Sequence, residues 1–426
     1  MEDILKPGRI SLGIAGSLSA TTFEEAYTFM LYTPGITDCS PAEVNYDATR
    51  IGVLHTHFQQ LIDDKKIQAA SYCISRYGKT FMHGAIGPLS YRKERTEPLL
   101  PTTVHRIASI TKAITSVAIA KLVEDGVLRL DLPVGTFLKP FNVEPFAKID
   151  IYSLLTHTSG LFPDCACSMI PYHKSYWQLI GEYFDSYRPE DGDPDWITAA
   201  LSCGVNKKVG EEWQYCSFGF CILGEIIKKV TGVTAEQYIE ENILKPLGMK
   251  DTMWEPTPEL AGRFIIRNEM REKQLNELAQ GIQPEVSAAE KLWETVSSTG
   301  GGLSSTPADL IRFANMLLGM GRLGETRILG RKAVEKLTTR TLYGVPDYCW
   351  GNDVKDRSYG IGLDMRKGPA FFYSEGSYFH EGAGACCMVM DPAEQLAAVW
   401  FVPFKDDNWY AEALFNVTNI IWSGVI

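Results

Sequence analysis

The sequence predicts an α/β protein in which the two ends of the chain build one domain and the middle forms a second, mostly helical one. Three observations carry this. Apolar runs of strand length occur at 69–86 and return at 383–404. The most apolar helix of the chain, at 109–125, follows the first of them. Between 135 and 295 the clear elements are helical. A chain of 426 residues has room for two or three domains. The expected division is an N-terminal extension over 1–45, a discontinuous α/β domain over 46–134 and 296–426, and an inserted, mostly helical domain over 135–295.

Residues 1–45 show no periodicity and carry Pro, Gly and Ser, so they are expected to wrap the body. Residues 46–65 place Ile51, Leu54, Phe58, Leu61 and Ile62 at helical spacing. Strands are predicted over Ala69–Arg76 and Thr80–Ile86, joined by a hairpin at Tyr77-Gly78-Lys79. The helix at 109–125 has little room for a polar face, which marks it as buried, and Asp125-Gly126 ends it. Further helices are expected over Ser217–Val230, Ala235–Ile243, Ser304–Leu318 and Asn408–Trp422, with a helix or insertion over Glu269–Glu294. The aromatic stretch Pro171–Trp196 reads equally as the wall of an acyl pocket or as a packed loop. Strands over Ala383–Met390 and Leu396–Phe404 flank a turn at Asp391-Pro392-Ala393-Glu394.

Composition removes several classes of function. The 45% of hydrophobic residues is enough for a large core, which excludes a long disordered protein. Lys and Arg number 41 against 52 Asp and Glu, a net charge of −11 without a basic run, so no nucleic-acid partner is expected. The start Met1-Glu2-Asp3 lacks the positive region of a signal peptide, and no window reaches 18 apolar residues. The expectation is a soluble, cytoplasmic protein with no membrane partner; the oligomeric state stays open. Ten cysteines are scattered without a C-x-x-C pair, which points to reduced, buried thiols and no metal site. His55 and His57 stand two apart on a helix and face different sides, so they do not pair on a metal.

The chemistry concentrates at Ser109-Ile110-Thr111-Lys112. Ser109 starts the buried helix and Lys112 lies three residues on, on the same face. Lysine is rarely buried unless it is paired or working. In an apolar setting beside the positive end of a helix dipole its pKa should fall, which would let it take a proton from the serine hydroxyl. Tyr215-Cys216-Ser217 precedes a later helix, and His380-Glu381-Gly382-Ala383 leads into an apolar strand. Around these stand Leu154-Leu155-Thr156-His157-Thr158-Ser159-Gly160-Leu161, Pro246-Leu247-Gly248-Met249, Gly300-Gly301-Gly302 and Tyr359-Gly360-Ile361-Gly362. The triple glycine lacks the lysine and spacing of a phosphate loop and reads as close backbone approach beside a cleft.

From about residue 50 to about residue 404 this ordered set resembles the serine beta-lactamase-related hydrolases: class C beta-lactamases, D-Ala-D-Ala carboxypeptidases, D-aminopeptidases and family VIII carboxylesterases. The resemblance implies a beta-lactamase/transpeptidase-like fold, an antiparallel sheet flanked by helices with an inserted helical domain, and cofactor-free chemistry through an acyl-enzyme. It implies Ser109 as nucleophile, Lys112 as its activator and Tyr215 as a shared base that protonates the leaving group. Ser217, His380, Glu381, Gly382 and Ala383 would line the substrate, with the Ala383 and Ser109 N–H groups as oxyanion donors. His157 is expected to buttress the fold. Two departures stand out. His380-Glu381 replaces the Lys-Thr that greets a beta-lactam carboxylate, and Ser217 replaces the usual Asn. The expected activity is therefore hydrolysis of a small ester. The alternatives are a D-amino-acid peptidase or amidase or an acyltransferase, weak beta-lactamase activity being compatible with the site, and a non-catalytic scaffold that retains the fold.

Overall fold

The computed structural model describes residues 31–166, 174–282, 287–365, 370–383, 385–403 and 410–426. Its centre is a six-stranded sheet, antiparallel throughout. The strands are β1 (Tyr32–Pro34), β2 (Ala70–Arg76), β3 (Lys79–Ile86), β4 (Tyr378–Gly382), β5 (Cys386–Asp391) and β6 (Leu396–Phe401), in the order β1-β3-β2-β6-β5-β4. The two ends of the chain meet at β2 and β6, where Cys73 lies opposite Val399. The β2–β3 turn is two residues long, with Tyr77 and Gly78 both at positive φ (54° and 74°), the geometry that matches the twist of paired strands.

The principal helices, in chain order, are α1 (Thr49–Asp63), α2 (Ile110–Glu124), α3 (Tyr176–Ser186), α4 (Ser217–Thr231), α5 (Pro307–Leu318), α6 (Arg331–Thr338) and α7 (Val417–Trp422). Helices cover both faces of the sheet, so its central strands are apolar without alternation. Cys386 points into the core shared with α2 and α5, while its neighbour Cys387 joins Trp400, Phe58 and Trp422 in the core under α1 and α7. Helix α2 runs through the larger core, and Ile110 to Ile119 are buried without a gap. Helix α4 ends at Gly232 in the left-handed conformation.

Several details differ from the sequence reading. The described part of the expected extension joins the sheet, because β1 pairs with β3 along 32–34. The motif at 380–382 does not lead directly into the next strand. It ends a strand of its own, β4, at Gly382, and β5 begins at Cys386. The first part of the C-terminal helix is wound wider, over Tyr410–Asn416, before α7 begins. The helix predicted over 304–318 starts at Pro307, with the Thr306 side chain as its cap, and Ser304 and Ser305 instead pair with Arg106 and His105. The aromatic stretch contains the capped helix α3, whose Tyr176 stacks on Phe218 at 4.2 Å between ring centres. Trp196, buried with it, meets the edge of Phe218. Tyr172, Cys167, Phe404 and Asn408 lie outside the described residues.

Candidate active site

The start of α2 is held in an unusual backbone. Ala108 has φ of +44°, a left-handed conformation that costs a non-glycine residue about 1 kcal/mol or more. This backbone just ahead of Ser109 sets how its side chain leaves the helix start. Ser109 is half-buried there. Lys112, one turn on, is fully buried, and its Nζ donates to Ser109 Oγ at 2.9 Å and to the Gly300 carbonyl at 2.6 Å. The same nitrogen lies 4.8 Å from the centre of the Tyr215 ring and 5.7 Å from that of Phe220. Burial pulls the Lys112 pKa down to about 8, opposed by the negative charge of Asp164. This is the direction expected from the sequence.

Tyr215 reaches the same hydroxyl, since its phenol hydrogen-bonds Ser109. Burial holds the phenol pKa well above 10, and the charges of Asp164 and Glu381 add to the effect. His157 holds the Tyr215 segment from below. Its carbonyl accepts from the Gln214 N–H at 2.7 Å and its Nδ1 accepts from the Cys216 N–H at 3.1 Å. Its ring lies 4.5 Å from that of Tyr215. With Nδ1 accepting, the proton sits on Nε2, which has no acceptor among the described residues.

The end of β4 closes the second wall. A Cβ on Gly382 would lie 2.1 Å from the Ile107 carbonyl, so only glycine lets the strand pass this close to the segment that leads into Ser109. The N–H groups of Ser109 and Ala383 donate to no other described residue. His380 is buried, and its Nδ1–H donates to the Glu381 carbonyl at 2.7 Å. Burial lowers its pKa to about 4, helped by Lys112, so the ring is neutral at physiological pH. Strand alternation sets His380 on the Tyr378 side of β4, toward α2, and Glu381 on the Phe379 side. The Glu381 carboxylate therefore leaves the strand away from His380, although its charge still reaches the Tyr215 phenol.

Two contributors, Asp164 and Trp350, escaped the sequence reading, and a third, Gly300, was expected there only as close backbone approach. Asp164 accepts from the Ser217 N–H at 2.7 Å and from Ser217 Oγ at 2.6 Å, and its own N–H donates to the Tyr215 carbonyl at 2.8 Å. The Gly300 carbonyl is the second acceptor of Lys112; the triple glycine had flagged close approach, and a Cβ at Gly300 would lie 2.9 Å from the Ser217 carbonyl. Trp350, exposed and at φ of +52°, sets its ring 5.4 Å from that of Tyr215. Apart from the triple glycine, no local pattern marks these residues.

Among the described residues no cluster of three His, Cys, Asp or Glu side chains is placed to hold a metal ion. His55 bonds the Tyr72 hydroxyl and His57 the Glu412 carbonyl. No helix of the described residues is long and apolar enough to cross a membrane.

The model of the family described as Beta-lactamase matches residues 54–415. The chain belongs to the beta-lactamase family. That family is one of serine hydrolases, and its reach over this chain includes every residue named at the site. Among curated relatives, Esterase EstB of Burkholderia gladioli is 30% identical over 227 residues, 50% of this chain and 53% of the esterase. The chain spans about half the length of the curated relatives it matches first. Two solved structures share the fold: EstCE1, described as a hydrolase with promiscuous acyltransferase activity, and a family VIII carboxylesterase. They are 17% and 18% identical, with TM-scores of 0.68 and 0.63, and in each case the match covers 88% of this chain and 98% of the other.

Proposed function

We propose that this member of the beta-lactamase family is a carboxylesterase acting on small neutral or cationic esters through an acyl-enzyme on Ser109. The observation that carries the reading is the buried Lys112 amine, 2.9 Å from Ser109 Oγ, with its pKa brought down to about 8. An amine of this kind takes the hydroxyl proton as Oγ attacks the ester carbonyl. The charge that gathers on the carbonyl oxygen falls to the Ser109 and Ala383 N–H groups, which have no other described acceptor. The Tyr215 phenol, bonded to the same Oγ and held protonated by its high pKa, hands a proton to the departing alkoxide. Water then repeats the sequence on the acyl-enzyme, with the roles reversed.

Charge selects the substrate. A neutral His380 stands where a lysine would greet a carboxylate, and Asp164 and Glu381 put negative charge near Tyr215. A substrate bearing its own carboxylate meets repulsion there. Ester hydrolysis is thus favoured over penicillin or nitrocefin hydrolysis, in keeping with an esterase among the relatives.

The test is labelling by a fluorophosphonate, followed by intact mass, together with turnover of p-nitrophenyl acetate and butyrate. The expected result is one adduct per chain, lost in Ser109→Ala along with turnover. Equal rates in the parent and Ser109→Ala would overturn the assignment.

A further inference from the structure

A second cavity lies further along the stripe of α2 that carries Lys112. Ser116, Ala120, Val123 and Glu124 continue this stripe toward the C-terminal end of the helix, some 10–20 Å from Ser109 at 1.5 Å per residue. They border a hollow of about 550 Å³ that neither Ser109, Lys112, Tyr215, Ser217 nor His380 lines. At its upper end Gly362 presses on the Ser116 hydroxyl, which itself donates to the Lys112 carbonyl at 2.8 Å.

The cavity is built in two zones. Its floor is aliphatic: Ala120, Val123, Leu130, Leu155, Leu337 and Ile361. Its rim is cationic, with Arg327, Arg331, Lys332 and Lys336 around one carboxylate, Glu124. Part of that charge is answered. Glu124 accepts from Arg327 and from the Gly330 N–H, and Glu335 pairs with both Arg331 and Lys332. Lys336 is exposed and has no carboxylate partner among the described residues. Lys332 and Lys336 also border an adjoining polar hollow of about 490 Å³, which adds Arg340. Arg340 is itself answered by Asp356, so five cations meet three carboxylates and the mouth stays positive on a chain whose net charge is −11. A pocket of a few hundred Å³ with an apolar floor and a few convergent polar groups is the usual form of a small-molecule site.

We propose that this cavity binds the anion of a medium- or long-chain fatty acid, with the alkyl tail on the aliphatic floor and the carboxylate at Lys336 and Lys332. A free anion is preferred over a neutral lipid because the rim's excess charge has no protein carboxylate to neutralise it. A tail is required because the floor offers no polar partner. The site is independent of the ester chemistry at Ser109.

Calorimetric titration of the full chain with dodecanoate, kept below its critical micelle concentration, tests this. Ser109 is first blocked with a fluorophosphonate, or replaced in Ser109→Ala, so that the catalytic cleft does not contribute. The expected result is one site per chain, weakened at least tenfold by Lys336→Glu and at least tenfold again in Lys332→Glu/Lys336→Glu. Both changes are exposed and leave the fold intact, which circular dichroism checks. Dodecanol and dodecyltrimethylammonium should bind at least tenfold more weakly, and so should butyrate, which keeps the head and loses the tail. Dodecanoate binding unchanged by Lys336→Glu, equal binding of the cationic amphiphile, or equal binding of butyrate would each overturn the proposal. Failure of the fluorophosphonate to label Ser109 bears on the ester reading alone, since the Ser109→Ala chain still reports on the cavity.

Discussion

The two walls of the catalytic cleft are built on opposite principles. On the wall formed by the start of α2, Lys112 is buried and has two acceptors, Ser109 Oγ and the Gly300 carbonyl, while rings close around it. On the wall formed by Asp164 and Trp350 both residues are exposed, and the Asp164 carboxylate is held by the Ser217 N–H and hydroxyl. Electrostatic interactions are strong and unscreened on the first wall and weak and screened on the second. Under the proposed mechanism the first wall is where rate is made, and the second where substrates are sorted. Substitutions on the two should differ in size and in kind.

The largest effect belongs to the first wall. Lys112→Met keeps the shape of the side chain and removes the base, so ester turnover should fall by about 10³-fold or more. The fold should survive. At pH 7 the folded protein holds a buried ammonium whose pKa is about 8 rather than 10.5, a cost of roughly 3 kcal/mol that the substitution removes. Against this the Gly300 carbonyl loses its donor, at roughly 1–3 kcal/mol. The two oppose, so thermal melting should move by only a few degrees. The sign can be checked in the parent. Between pH 8 and 10.5 the unfolded chain binds the proton that the folded chain has released, so this group's contribution to stability rises with pH across that window. Turnover follows the neutral amine. It should climb about tenfold per pH unit below 8, level off above it, and show no fall assignable to Tyr215 before about pH 10, because that phenol titrates well above its ordinary value. A profile that levels at pH 6 would point to a histidine instead and remove Lys112 from the mechanism.

An intermediate effect tests how tightly the walls are joined. Gly382→Ala places a methyl 2.1 Å from the Ile107 carbonyl, a contact that must open by about an ångström. The end of β4 then moves off the nucleophile, and with it the Ala383 N–H. Misplacement on this scale costs about 10²-fold in turnover. The loss should appear in kcat with KM nearly unchanged, since the sorting groups stay in place. A raised KM at constant kcat would mean that the strand end binds substrate and takes no part in the transition state.

How far the sequence reaches follows the same division. The first wall was legible because its chemistry is local. Ser109 and Lys112 share one turn of a helix whose apolar surround is visible in the letters, and burial of the lysine follows from that surround. Tyr215 was found through its motif, and its high pKa arises from burial, part of it against the ring of His157, distant in sequence. The meeting of the chain ends was legible in outline, since apolar runs at both ends demand a common core. The β1 strand was not, because three edge residues held by one neighbour leave no pattern. The second wall was illegible for a related reason. Asp164 matters through two bonds to Ser217, 53 residues away, and Trp350 through contact with Tyr215. Nothing in a Pro-Asp step or an isolated tryptophan announces a partner so remote.

The smallest effect is the sharpest test of the division itself. Asp164 is exposed, yet its charge opposes the fall in the Lys112 pKa. Asp164→Asn retains an oxygen to accept from the Ser217 N–H and an amide to meet Ser217 Oγ, so the loop should keep its place. What it loses is the charge. The lysine, no longer supported in its protonated form, should release its proton at lower pH, and the rising limb of the pH profile should move toward acid. The shift should be small, below about half a pH unit, because exposed charges are screened. Raising the salt to 1 M should reproduce most of it in the parent and add little to the variant. Substrates bearing a carboxylate should gain relative to neutral esters by a few-fold in the same variant, since part of the repulsion they meet has gone. A limb that moves toward alkali, or a change in turnover as large as that of Lys112→Met, would mean that the second wall takes part in the chemistry and that the separation of rate from selection fails.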